Sequence, residues 1–235
     1  MSKKISKKDE FDHFTSIAKE WWIPEGKFKT LHQIIPLRIE YILKSLNRSD
    51  ISNLEILDIG CGGGLTCEPL ARLNANVTGI DFVKQNINEA KSHAKISKLK
   101  INYIHSDIEI IKIEKKYDLI LMLEVIEHLD NWDKIISKFK KNLKPTGKII
   151  FSTINRTQLS KIFAIFFAEN IFKWIPKNTH NYDKLITPDE LKKALNENNF
   201  TIENLMGMNF NPISREWSLN KNLHPINYFC TAKLN

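Results

Sequence analysis

Cysteine is scarce: Cys61, Cys67 and Cys230 are the three in 235 residues. An odd count at these spacings builds neither a disulfide framework nor a zinc site, and it fits a reducing compartment. No apolar stretch reaches the ~20 residues that a bilayer-spanning helix needs. The polar amino-terminal residues lack the apolar core of a signal peptide. These absences lead to the expectation of a cytoplasmic protein that is soluble or peripheral to the membrane. Internal repeats and low-complexity linkers are also missing, and the length suits one α/β domain with a modest addition.

Acidic residues are the minority charge, 27 against 35 Lys and Arg, for a formal charge of +8. A basic balance admits nucleic acid, an anionic membrane surface or an anionic ligand as partner. It equally fits a compositional bias, because Lys far outnumbers Arg and both Ile and Asn are abundant. The positive residues are not interleaved with aromatics in a nucleic-acid motif, so no nucleic-acid partner is expected. Hydrophobic residues make up 42%, an ordinary globular share.

What is present is an alternation of short apolar strands and helices. Strands are expected at Leu54–Ile59, Asn76–Asp81, Ile101–Ile104, Tyr117–Met122 and Lys148–Thr153. Helices are expected over Ile34–Leu46, Leu65–Leu73, Lys84–Ile96 and Trp132–Leu143, the last ended by Pro145 and Gly147. Thr187-Pro188-Asp189-Glu190 reads as a capping box opening a further helix. Two late strands near Thr201–Met206 and Asn227–Lys233 complete the pattern. The expected fold is α/β: a Rossmann-like, doubly wound, mostly parallel sheet, with amino-terminal helices and a helical insertion after the fifth strand. The expected organisation is a single domain. It comprises a helical cap (1–50), a cofactor-binding core (51–155), an apolar and basic insertion (156–186) and a carboxy-terminal helix with strands (187–235).

The glycine loop carries the first chemistry. Asp58-Ile59-Gly60-Cys61-Gly62-Gly63-Gly64 follows the first strand and opens a helix. Glycine permits the turn and a close backbone approach, and free N–H groups at a helix start favour a ligand carboxylate. The nicotinamide fingerprint G-x-G-x-x-G/A does not fit. Counted from Gly60 it ends on Leu65, and counted from Gly62 it ends on Cys67. The D-x-G-x-G-x-G form resembles class I methyltransferases that use S-adenosylmethionine. Asp81 ends the second strand, where an acid can accept hydrogen bonds from ribose hydroxyls or cap the next helix. Asp107, after the third strand, could face an adenine amino group or serve as a cap.

Several separate blocks carry a further resemblance. They are Trp21-Trp22-Ile23-Pro24-Glu25-Gly26-Lys27-Phe28-Lys29 through Pro36-Leu37-Arg38, the glycine loop, Glu124-Val125-Ile126-Glu127-His128, and Phe151-Ser152-Thr153-Ile154-Asn155-Arg156. In this order, and with Pro176-Lys177, Thr179-His180, Asn211-Pro212 and Asn227-Tyr228, they closely resemble the ubiquinone biosynthesis O-methyltransferase family. The resemblance implies transfer of a methyl group from S-adenosylmethionine to a polyprenylated catechol and to a hydroxyl of demethylubiquinol. It assigns cofactor contacts to Arg38, Gly60, Asp81 and Leu123, with Arg38 facing the methionine carboxylate. Asp58, Gly62 and Asp107 are further candidates. Implied partners are the polyprenylated phenol or quinol, an anionic surface of the inner membrane with which the protein would associate peripherally, and other enzymes of the pathway. Ile59 and Leu123 stand where the family more often has Val and Met.

A catechol oxygen attacks a sulfonium methyl well only when deprotonated, so a base or a Lewis acid is needed. Glu124, Glu127 and His128 follow the fourth strand at the carboxyl edge where ligands bind. Two readings compete for them. The three could hold a divalent ion, with Mg²⁺ favoured by oxygen ligands, or His128 could act as a base with Glu127 assisting. Finally, Thr157–Ile175 is rich in Phe and edged by Lys161 and Lys173. It reads either as an interfacial membrane helix or as a buried packing helix.

Overall fold

The computed structural model describes residues 7–160, 182–211, 216–222 and 226–235. Strands β1 (Glu55–Ile59), β2 (Asn76–Asp81), β3 (Asn102–His105), β4 (Tyr117–Leu123) and β5 (Leu143–Ile154) run parallel where they pair. Strands β6 (Phe200–Asn211), β7 (Glu216–Asn220) and β8 (Asn227–Leu234) pair antiparallel. All eight join one sheet in the order β3-β2-β1-β4-β5-β8-β6-β7. The described helices are α1 (Lys7–Ile17), α2 (Lys29–Leu46), α3 (Cys67–Arg72), α4 (Lys84–Ile96), α5 (Trp132–Lys140) and α6 (Pro188–Glu197).

The central strands are buried along most of their length because helices cover both faces. Successive side chains of a strand point to opposite faces. Accordingly Ile120 and Met122 of β4 join a core with Ile135, Ile136 and Phe139 of α5 and Leu191 and Leu195 of α6. Leu119, Leu121 and Leu123 join the opposite core with Tyr41 and Ile42 of α2, Leu70 of α3 and Ile87 and Ala90 of α4. The expected doubly wound, mostly parallel architecture is what the chain adopts. Its strand order reverses direction between β1 and β4. In such sheets a ligand crevice opens at that switch point, beyond the carboxyl ends of the strands.

Thr187 forms the capping box foreseen. Its hydroxyl accepts from the Glu190 amide at 3.2 Å while Glu190 Oε2 accepts from the Thr187 amide at 2.8 Å. Two elements differ from expectation. Helix α5 stops at Lys140, and β5 begins at Leu143, which pairs with Tyr117 before the register jumps to Leu119 opposite Lys148. Pro145 and Gly147 therefore sit in an irregularity inside the strand span rather than after a helix; a proline is tolerated there because the ladder is already interrupted. Edge strand β7 was not foreseen, since an edge strand needs no apolar run. The insertion from residue 161 to 181 lies outside the described residues. Among those described, no helix is long and apolar enough to cross a membrane.

Candidate active site

The glycine loop leaves β1 and is stitched at once to β2. The amides of Gly60 and Cys61 both donate to the Ile80 carbonyl, at 2.8 and 3.0 Å. The Gly62 amide donates to Asp81 Oδ2 at 3.0 Å. Asp81 Oδ1 accepts from the Val83 amide at 2.8 Å and from Asn86 Nδ2 at 3.2 Å. Burial pushes the Asp81 carboxyl up to about 6, although these three donors oppose the shift. Asp81 is thus both the organiser of the loop and the start of the turn into α4. With both acceptor sites of Oδ1 used, Oδ2 retains one for a ligand hydroxyl.

The loop has a second neighbour that the spacing of glycines did not reveal. Trp21 lies flat on Phe28, with ring centroids 3.7 Å apart, and its Nε1 donates to Asn86 Oδ1 at 2.8 Å. A Cβ on Gly62 or Gly63 would come within 2.4 or 2.3 Å of the Trp21 ring. Gly62 also needs its left-handed φ of +53°. Glycine here serves the protein's own indole as well as any ligand. Trp22 completes the clamp: Nε1 donates to the Gly63 carbonyl at 2.9 Å, and the ring stacks on His93 at 3.4 Å. His93 Nδ1 in turn meets Glu68 of α3 at 2.6 Å. The pair Trp21-Trp22 was visible in the sequence, but only the fold shows what it holds.

Beside the loop is a buried cluster of charge. Arg38, from α2, is 5% exposed, and its Nε and Nη2 have no hydrogen-bond partner. Nη2 lies 3.7 Å from Glu124 Oε1. Burial disfavours the charged guanidinium, and the carboxylates of Glu124, Asp58 and Glu127 oppose that effect. Asp58 is pushed up to about 6 by burial, against the hydrogen bond from Cys67 Sγ at 3.2 Å and the charge of Arg38. Two free donors on a buried planar fork are what a carboxylate ligand requires. The residues present therefore fit an amino-acid moiety at Arg38.

Glu124 follows β4 in an uncommon conformation, φ +56°. That costs on the order of 1 kcal/mol for a residue with a Cβ. It is held by its amide to the Ser152 carbonyl at 2.9 Å and by Ser152 Oγ donating to Glu124 Oε1 at 2.8 Å. Leu123, just before it, is buried and pairs with Ser152 across the ladder. Glu127 is buried with Oε2 unpartnered. Burial first, and then the charge of Glu124, push its carboxyl up to about 8.

His128 is on the rim, its side chain 36% exposed, with Nδ1 at 3.0 Å from Glu10 Oε1. Burial works against a charged ring there. The hydrogen bond and charge of Glu10, with Glu127 and Glu124 behind it, outweigh burial and raise the ring to about 9. Among the described residues, no group of three or more His, Cys, Asp and Glu side chains is placed to hold a metal ion. The Mg²⁺ set expected from Glu124, Glu127 and His128 is not assembled in this arrangement, because His128 is turned to Glu10 and Glu124 to Ser152 and Arg38. Asp107 is engaged too: Oδ1 accepts from the Glu109 amide at 2.9 Å and Oδ2 meets Lys7 at 2.6 Å. Lys7 and Glu10 carry no sequence signal of their own, since they lie on a polar helix far along the chain from their partners.

A sheet whose order reverses between β1 and β4, a glycine loop tied to an acid at the end of β2, and a buried arginine fork beside them define an S-adenosylmethionine-dependent methyltransferase. A family model described as a methyltransferase domain matches residues 19–205. Curated relatives named ubiquinone biosynthesis O-methyltransferase are 42% identical in Rickettsia felis, over 94% of this chain and 91% of that protein. The relative in Bartonella tribocorum is 44% identical, over 95% and 94%. The chain belongs to the ubiquinone biosynthesis O-methyltransferase family. Among solved structures, magnesium protoporphyrin IX methyltransferase from Synechocystis superposes with a TM-score of 0.72 at 19% identity, covering 98% of this chain and 100% of that one. That likeness shows the shared fold.

Two outcomes follow from the geometry. Gly63→Ala should cost about 1–3 kcal/mol through its clash with Trp21. In a Trp21→Ala background the same change should cost no more than about 0.5 kcal/mol. Urea unfolding of the four proteins checks this, and additive costs would show that Trp21 is not what the glycine serves. Glu127, with a folded value of about 8 against an unfolded value near 4.5, keeps a proton that the unfolded chain has lost. Its contribution to stability therefore falls as pH rises from about 4.5 to 8. Glu127→Gln should match wild type at the acidic end and exceed it in urea midpoint at pH 8.5; a constant difference across pH would contradict the assignment.

Proposed function

We propose that this chain transfers a methyl group from S-adenosylmethionine to a phenolic oxygen of a polyprenylated catechol, and also to the free hydroxyl of demethylubiquinol. The observation that carries the reading is the juxtaposition at the end of β4. Arg38 presents unpartnered donors beside Glu124, and Glu127 and His128 follow in the short helical turn after β4. The names of the curated relatives supply the acceptor class. When bound, S-adenosylmethionine supplies a methyl group on a sulfonium, a leaving group that needs no protonation.

The chain's own residues then have separable tasks. Arg38 would hold the amino-acid carboxylate, and Asp81 would accept from a ribose hydroxyl at the site left on Oδ2. The acceptor must lose a phenolic proton whose affinity lies near 10. An ordinary imidazole is poorly matched to that task, but His128, raised to about 9, is well matched. It can take a proton only in its neutral form, whose population grows as pH rises towards 9. Burial and the charge of Glu124 favour the protonated form of Glu127, which limits the carboxylate charge in the pocket.

The test is direct. Incubated with labelled S-adenosylmethionine and a short-chain prenyl catechol, the protein should yield a monomethylated ring oxygen by mass spectrometry; absence of any labelled product would reject the reading. Chelation distinguishes a proton route from a regrouping of Glu124, Glu127 and His128 around Mg²⁺. Full activity in metal-stripped buffer leaves His128 as the base, whereas recovery only on adding Mg²⁺ gives the three residues to the ion.

The proposal extends to a membrane surface, because a polyprenylated acceptor is essentially insoluble in water. The supporting feature is compositional: Leu159–Ile175 is apolar, Phe-rich and edged by lysines. Lysines near anionic head groups are worth about 1 kcal/mol each. The protein should co-sediment with anionic liposomes, less so at high salt. Phe166→Ser with Phe167→Ser should weaken that binding while methylation of a water-soluble catechol continues. Wild type remaining in the supernatant at low salt would leave the segment a packing helix.

A further inference from the structure

We propose that Glu10, on the amino-terminal helix α1, is a positioning residue for His128, an inference that rests on the reading of His128 as the acceptor-side base. Helix α1 lies across the carboxyl ends of three strands. Phe11 meets Phe82, just after β2, with ring centroids 6.2 Å apart. Lys7 pairs with Asp107 and Glu109, after β3, at 2.6 and 2.7 Å. Glu10 reaches His128, after β4, at 3.0 Å. The helix is thereby fixed at two other points, so the Glu10 carboxylate is delivered to the imidazole from a defined direction.

A carboxylate on one ring nitrogen decides what the other nitrogen does. With Glu10 accepting from Nδ1–H, the neutral ring carries its proton on Nδ1 and leaves Nε2 as the atom with a free lone pair. The same contact stops the ring rotating about its χ2 axis. An exposed histidine without such a partner would divide its time between two tautomers and several rotamers, and few of those states would face an acceptor hydroxyl. The carboxylate oriented on His128 thus comes not from Glu124 or Glu127, its neighbours in sequence, but from a residue 118 positions away.

Kinetics with S-adenosylmethionine and a soluble catechol test this. Glu10→Ala should lower kcat by about 10–100-fold, the usual cost of losing a partner that orients a functional histidine. The KM for S-adenosylmethionine should stay within about 2-fold. Glu10→Gln, which keeps a neutral acceptor for Nδ1–H but removes the charge, should recover part of the loss and move the kcat–pH profile to lower pH. Phe11→Ala, which removes one anchor of α1 but leaves the Lys7 and Glu10 contacts in place, should lower kcat far less than Glu10→Ala. Equal losses in Glu10→Ala and Phe11→Ala, with KM for the cofactor rising in both, would make Glu10 a mere latch for the helix and overturn the proposal. So would full activity in Glu10→Ala when His128→Ala is inactive, an outcome that spares the reading of His128. Full activity in His128→Ala would overturn that reading and this inference together.

Discussion

The carboxylate of Asp81 is the contact on which the cofactor side of the molecule depends. One oxygen receives the Gly62 amide and so fixes the loop that leaves β1. The other receives the Val83 amide and the Asn86 side chain, and so fixes the turn that leaves β2. Asn86 passes the constraint on to Trp21, and Trp21 rests on the glycines where it began. Two parallel strands, the helix that follows and the amino-terminal clamp are thereby joined through a single side chain. A buried acid accepting three N–H groups makes such a junction stiff. The loop is consequently shaped before any ligand arrives, which reduces the ordering cost of binding.

A second constraint is the concentration of unneutralised polarity beyond β4. Arg38 is surrounded by Asp58, Glu124 and Glu127, yet two of its nitrogens make no hydrogen bond. Glu124 is held in a left-handed backbone conformation. Glu127 is buried with an unpartnered oxygen. Each of these features costs stability on its own. Their occurrence within a few residues of one another, at the edge where the sheet admits ligands, is the pattern of a site organised for chemistry rather than for packing.

Much of this was legible in the sequence, and the reasons differ by element. Strand β2 and helix α4 fall on the expected boundaries because Asn76–Asp81 carries the β-branched Val77, Thr78 and Ile80, and Lys84–Ile96 sets Ile87, Ala90 and Ala94 at helical spacing. The α6 start was set by local chemistry, Thr187 with Glu190. Asp58, Gly60, Gly62 and Asp81 were found because a strand–loop–helix motif places them together without reference to the rest of the fold. Pro145 and Gly147 misled because helix ends and strand irregularities use the same residues. The contacts made by Lys7, Glu10 and Trp21 were not legible: each depends on which residue, some 65 to 118 positions away, the sheet brings alongside. Periodicity is a local quantity and carries no information about such pairs.

The link between α2 and β8 bears on how the chain assembles. Tyr41 donates to or accepts from Thr231 at 2.8 Å, and Thr231 also bonds Ser45 at 2.9 Å, so an early helix is completed by a strand 190 residues further on. On the ribosome, where synthesis runs at about 5–20 residues per second, α2 must wait roughly ten seconds or more for its partner. During that interval its apolar face can rest only on the strands already made. Closing a loop of this length is slow because chain entropy resists it until many contacts form together. A nascent chain halted short of β8 would therefore carry the glycine loop and α2 without the strand residue that ties Tyr41 and Ser45 to the sheet.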